Sequence, residues 1–361
     1  MLRKENKGIT LVALVITIII LLILASITIS SLTNTGLFEK AKEAKEKTKN
    51  ATENQAKTLN EYEDELNKYV SGTTQTQKLA DKVKVGDYVS YTPDELSNES
   101  LTTLKTNLNT YSGNSSSTVN PAIKRDDLNW RVLDIQNGQV RLISETPTTS
   151  KIELKGYNGY NNAVKLIDDA CSTLYTNTKL ASKVQNLKIE DITKYMTTQP
   201  TEDTTTYSPT DKYYLEMLLK EKGQTVNGTI GTKLDVSEQT EFINQTTKTQ
   251  VSSWTLKKTY WSRTMNNTDS FRDIKYYELF IKNGSNYPIY WMSSRCVNAY
   301  SDGADFHVRR VNSGDVDAGS LYRSDNYGNS IAYAFRPVIT LNSNVRVTSG
   351  NGNQDFAFNI Q

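Results

Sequence analysis

The chemistry open to this chain is narrow. It has one histidine, His307, and two cysteines, Cys171 and Cys296. Cys296 with His307 is the one nucleophile–base pair these residue types permit, an imidazole drawing the proton from a thiol. No flanking motif supports that pairing. A cysteine in a folded domain is most often a small buried hydrophobe, so the reading is of no catalytic residues and no enzyme. A single histidine excludes multi-histidine zinc sites and two-histidine iron sites. Two cysteines are too few for a disulfide framework or a thiolate metal centre, although one Cys171–Cys296 bridge is open to an exported domain. The acids Asp302, Asp305, Asp315, Asp317 and Asp325 have the ligand type that Ca²⁺ takes. Scattered aspartates among glycines and serines more often form solvated turns, so neither metal nor cofactor is expected.

A second kind of chemistry is recognition. Between residues 298 and 330, Asn298, Tyr300, Ser301, Asp302, Asp305, His307, Tyr322, Asn326 and Tyr327 alternate with a framework of Ala, Phe, Val, Arg and Leu. Tyrosine brings contact area at low entropic cost, and Ser, Asn and Asp bring adaptable hydrogen bonds. These nine residues are the candidate ligand-binding set, weighed against an ordinary polar surface rich in turns. Asn, Ser, Asp, Gly, Tyr and His are also the residues reached by substituting adenines in an AAC-type codon.

The elements that must position this set are legible in part. Trp130–Ile135 and Val140–Ser144 alternate around Asn137-Gly138, a strong hairpin signal. Val83–Tyr91 reads as a strand or hairpin, and a polar insertion with a loop over 112–120 follows it. Residues 161–182 predict a helix with Val164, Ile167, Ala170, Cys171 and Leu174 on one face. Ile189–Met196 predicts a second, short helix and 201–208 a loop. Strands are expected at 289–295, 305–311 and 316–323, with Phe335–Leu341 closing the domain as one buried strand.

The segment Ile289-Tyr290-Trp291-Met292-Ser293-Ser294-Arg295, the glycine-rich turns after it and Phe335-Arg336-Pro337-Val338 resemble the C-terminal half of C-type-lectin-like domains. The likeness is to those of the formylglycine-generating-enzyme group and of retroelement-diversified surface proteins. It is closest over 286–345 and looser over 77–285. It implies variable side chains pointing outward from a fixed scaffold. The formylglycine-generating activity does not carry over, because that group uses a pair of cysteines in this region and only Cys296 lies here.

The amino terminus is of another character. Against a mean hydropathy of −0.56, Ile9 to Leu32 runs 24 residues without a charge. That is long enough, at about 1.5 Å per residue, to cross a hydrocarbon core of about 30 Å. Arg3, Lys4 and Lys7 before it predict a cytoplasmic amino end and an external remainder. Lys7-Gly8-Ile9-Thr10-Leu11-Val12 resembles the cleavage region of type IV prepilins and pseudopilins. The resemblance implies cutting between Gly8 and Ile9 by a prepilin peptidase, methylation of the new terminus and retention of the apolar helix. Ala13 stands where pilins usually carry a glutamate, which leaves open a filament tip or a membrane-resident existence. Beyond Gly36, strong helix formers with an i,i+4 pair, Glu43 and Lys47, predict a solvated stalk. Its later part carries a Leu59, Tyr62, Leu66, Tyr69 stripe.

The sequence therefore predicts an α+β protein, with a leader over 1–8, a transmembrane helix over 9–32, a helical stalk over 33–72 and an extracellular mixed domain over 77–361. With 42 Lys+Arg against 40 Asp+Glu, nothing points to nucleic acid. The expected partners are the membrane, the prepilin peptidase, other pilin subunits and an extracellular protein or glycan ligand. Two other readings stay open: a structural filament subunit without a ligand, and a surface enzyme of the formylglycine-generating type.

Overall fold

The computed structural model describes residues 76–201, 203, 205–208, 229–230, 237–243, 255–265, 268–282, 286–323 and 328–361, and upstream only 43–45, 47, 48, 51 and 55. The chain divides into Met1–Thr74 and Gln75–Gln361. In the first unit the described residues are helical and exposed. The expected pair is present there, Lys47 Nζ lying 2.6 Å from Glu43 Oε1. The leader with Gly8 and Ile9, the apolar run, and the stripe from Leu59 to Tyr69 lie outside the described residues. Among the described residues no helix is long and apolar enough to cross a membrane.

The second unit is a mixed α+β domain, as its sequence predicts. It begins with β1 (Tyr88–Ser90) and α1 (Asn98–Tyr111), the latter inside the expected polar insertion. This helix escapes a periodicity reading because only Leu104 and Leu108 are buried. Its start is set by Ser97, whose side chain accepts from Ser100 N at 3.1 Å. Thr102, Thr106 and Thr110 each return a hydroxyl to the carbonyl four residues back.

The hairpin follows as β2 (Trp130–Gln136) and β3 (Gln139–Ser144), with Gln136 opposite Gln139. Asn137 and Gly138 take φ of 50° and 76°, the left-handed pair whose twist matches the flanking strands. Next come β4 (Lys151–Lys155), α2 (Gly156–Tyr175), β5 (Ala181–Asn186) and α3 (Ile189–Thr193). The α2 face predicted from spacing is fully buried. Gly159 is required there, since a Cβ would stand 2.7 Å from Ser112 O.

Three short strands form a small sheet of their own: β6 (Thr206–Tyr207), β7 (Thr229–Ile230) and β8 (Thr255–Lys257). After β9 (Arg263–Thr264) and α4 (Ile274–Phe280) the chain enters its longest strands, β10 (Ile289–Tyr300), β11 (Gly303–Asn312) and β12 (Asp315–Arg323). The domain ends with β13 (Ser330–Phe335), β14 (Pro337–Leu341), β15 (Val347–Ser349) and β16 (Phe358–Ile360).

Two larger sheets organise these strands, in the orders β15-β16-β1-β2-β3-β14-β5 and β4-β13-β10-β11-β12-β9. The single closing strand expected over 335–341 is in fact two strands in different sheets, meeting at Arg336. That guanidinium, 1% exposed, donates to Ser144 O at 3.0 Å and Glu145 O at 2.8 Å. It thereby ties the crossing to the end of β3. Pro337, which cannot donate to a ladder, opens the new strand. One core lies under α1 and α2, and a second gathers α4 with Leu133, Ile143, Tyr290 and Met292.

Candidate functional site

The seven described residues of the nine-residue recognition set divide into three groups. Asn298, Tyr300 and Asp305 are half-buried on one face of the β10–β11 pair, where Asn298 stands opposite Asp305. Tyr300 donates its hydroxyl to Asp305 Oδ1 at 3.1 Å, and Arg323 Nε lies 3.3 Å from the same oxygen. Burial, then the Asp305 carboxylate, push the Tyr300 phenol up to about 12. Ser301 and Asp302 are exposed in the turn beyond. His307 and Tyr322 do not point outward. Tyr322 is 1% exposed and packs with Phe306 and Tyr157. It is drawn inward by a bulge that places Phe306 opposite Tyr322 but His307 opposite Ser320. A bulge of this kind breaks the two-residue alternation on which an outward reading rests. Asn326 and Tyr327 lie outside the described residues.

Cys296 and His307 are direct partners across β10 and β11. Cys296 is 1% exposed and His307 7%, and the Tyr260 ring centroid covers the imidazole at 5.0 Å. Burial pushes His307 down to about 4, which disfavours an imidazolium–thiolate pair. Both side chains are enclosed, and the neutral imidazole is the favoured form. Both cysteines are buried thiols, and no Cys171–Cys296 bridge forms. Of the acids weighed as calcium ligands, Asp317 is bound by Arg310 at 2.7 Å and Asp305 by Arg323, and Asp325 lies outside the described residues. Among the described residues no three His, Cys, Asp or Glu side chains converge on a metal position.

One concavity of the domain lies beside these residues. A cleft of about 390 Å³ is walled by α3, by residues 199–201 and 203 and by the 258–261 segment, and is also lined by Arg295 of β10 and Arg309 of β11. Local hydrogen bonds fix each wall. Ile189 N, at the start of α3, donates to Ser294 Oγ at 3.0 Å. Arg141 of β3 reaches both Asp134 and Asp191, each at 2.6 Å, so the helix is bolted to the hairpin. Burial pulls the Asp134 pKa upward, yet the Arg141 guanidinium holds it below the usual carboxylate range. The opposite wall is pinned by Thr259 N and Tyr260 N, both donating to Val297 O at 2.9 Å. Gln199 Nε2 donates to Thr193 O at 2.5 Å and ties residues 199–201 to α3.

Arg309 completes this wall from below. Its guanidinium donates to Trp261 O at 2.6 Å and Thr259 O at 2.7 Å. It lies 4.5 Å from the Trp261 ring centroid and 5.9 Å from that of Tyr260. Arg295 donates to Asn161 O at 2.8 Å, with its guanidinium 5.4 Å from the Tyr160 centroid. Each of these arginines is 3% exposed. At the rim, Lys258 and Asp203 face each other at 3.8 Å, and Glu190 accepts from Ser237 Oγ at 2.6 Å. Lys258 and Asp203 thus match in charge and Glu190 meets a neutral hydroxyl, while the Arg309 charge meets neutral carbonyls and aromatic faces among the described residues.

None of the cleft residues is in the recognition set read from sequence. One signal for them was present: Arg309-Arg310 are neighbours on a strand, and neighbours point to opposite faces. Arg310 takes Asp317 and the Tyr333 hydroxyl on one side, so Arg309 must enter the other. Nothing in the sequence shows that Tyr260-Trp261, distant in the chain, would close over it. No protein-family description, curated protein or solved structure matches this chain.

Proposed function

We propose that this chain is a pilin-like, membrane-anchored display protein whose lectin-like outer domain binds a ligand without catalysis. The amino end would be cytoplasmic, the apolar run single-pass, and the domain from residue 77 onward outside the cell. The observation that carries the binding half is the cleft: a concavity of about 390 Å³, within the about 300–1,000 Å³ of small-ligand sites. It has a buried cation, Arg309, beneath the aromatic wall of Tyr260 and Trp261. The half-exposed Asn298, Tyr300 and Asp305 lie on the same two strands that floor the cleft and extend the recognition surface beyond it. The prepilin-like Gly8-Ile9 junction and the charge-free run from Ile9 to Leu32 support the anchor.

The test is an adherence assay with cells displaying the full chain, against immobilised polysaccharides and extracellular proteins. A Thr201→Trp chain, its rim blocked at an exposed position, is the control. The expected result is adherence that the blocked chain loses by at least about tenfold, the size of one lost strong contact. Equal adherence of both chains would remove the cleft from the function.

A further inference from the structure

The floor and walls of the cleft specify a ligand chemistry. We infer that the cleft takes a carboxylate-bearing sugar, a hexuronate or a uronate unit of a longer glycan. This rests on the ligand-binding reading above and names the ligand class for the same site.

Three observations converge. The Arg309 guanidinium spends two of its five N–H donors on Trp261 O and Thr259 O. Its remaining charge faces the cleft with no carboxylate answering it among the described residues. A buried cation in that state favours an anion, and the planar fork of arginine matches a carboxylate in bidentate fashion. Arg295, on the neighbouring strand, also lines the cleft, but its guanidinium is turned to Asn161 O and the Tyr160 ring of α2. The wall beside them presents Tyr260 and Trp261, aromatic faces suited to the apolar face of a sugar ring. The rest of the lining holds the hydroxyl and amide groups of Thr193, Gln199, Thr201 and Thr259, which suit the hydroxyls of a pyranose, beside Ile189, Pro200, Glu190 and the Lys258–Asp203 pair. An aliphatic carboxylate would leave this rim unused, and a neutral sugar would leave Arg309 unanswered.

The experiment is calorimetric titration of the full-length chain in detergent micelles. The probes are D-glucuronate, D-galacturonate, D-glucose, D-galactose and glucose 6-sulfate. The uronates are expected to bind at least about tenfold more tightly than the neutral sugars, and more weakly as NaCl is raised. Arg309→Gln should erase that preference. Thr201→Trp, at an exposed rim position that no core depends on, should weaken uronate binding by a similar factor even if the arginine variant does not fold. Equal binding of glucuronate and glucose overturns the inference, as does stronger binding of the sulfated sugar. Uronate binding untouched by Thr201→Trp also overturns it, because the site is then elsewhere. If no sugar binds while the blocked chain still loses adherence, the ligand class falls and the binding reading stands. If the blocked chain also adheres fully, both fall.

Discussion

Asp168 shows how one side chain sets a pH dependence of the whole domain. It accepts from Asn186 N at 2.9 Å, but burial outweighs this and the attraction of Lys188, and its carboxyl is pushed up to about 6. An acid whose pKa is raised on folding holds its proton more tightly in the folded state. Its contribution is favourable below about pH 4 and is lost as pH rises from there through about 6. Replacing it by the neutral Asn should therefore stabilise the protein at pH 7 by on the order of 2 kcal/mol, and change little near pH 4. Guanidinium unfolding at the two pH values, followed by tryptophan fluorescence, measures this. A destabilised Asp168→Asn chain at pH 7 would show that the ionised carboxylate is structural. Arg336 is the contrasting residue: its charge is also deeply buried, and burial lowers its pKa. Its hydrogen bonds to Ser144 O and Glu145 O keep it in place.

At the scale of elements, α3 is five residues long, too short to stand without tertiary help. Its anchor is Arg141, shared between Asp134 of β2 and Asp191 of α3. Arg141→Met would leave two buried carboxylates without their common cation, at a cost of about 3–5 kcal/mol at pH 7. The sign of its pH dependence is opposite to that of Asp168. The depressed Asp134 stabilises the fold above about pH 4, and that contribution disappears as pH falls through its lowered pKa. Parent and variant should therefore converge in acid, a trend that paired denaturant titrations at pH 7 and pH 3 would detect. A constant gap would mean that Arg141 acts through packing alone. Because α3 also walls the cleft, the same variant should weaken ligand binding at temperatures where the domain remains folded.

At the scale of the whole molecule, the domain over Gln75–Gln361 brings its two ends together. β1 runs parallel to β16, so the beginning and end of the domain share one sheet. The display reading makes a prediction at this scale. The mature chain recovered from membranes should lack residues 1–8 and begin at a methylated Ile9, and Gly8→Val should retain the leader. Intact-mass measurement distinguishes these cases. A mature chain cut after Leu32, or one still carrying Met1 in the parent, would remove the prepilin-like processing from the proposal.

How much could be read in advance follows from the range of the forces involved. The β2–β3 hairpin and the buried face of α2 were legible, because an Asn-Gly turn and a 3.6-residue apolar period are local properties. The β10 to β12 strands were seen in outline but shorter than they are. Helix α1 was not seen, since threonines bonded to their own backbone leave little apolar period. The split at Arg336 was hidden too, because seven residues of strand look alike whether or not they change sheet. Sequence alone determined the chemical inventory: one histidine, two thiols, a charge-free run and a hairpin-forming turn. Only the tertiary structure decided that Tyr322 and His307 turn inward, and that Arg309 meets Tyr260 and Trp261 across about fifty residues of chain. A bulge and a crossing between sheets carry no signature in local composition, and they settle which side of a strand faces the cleft.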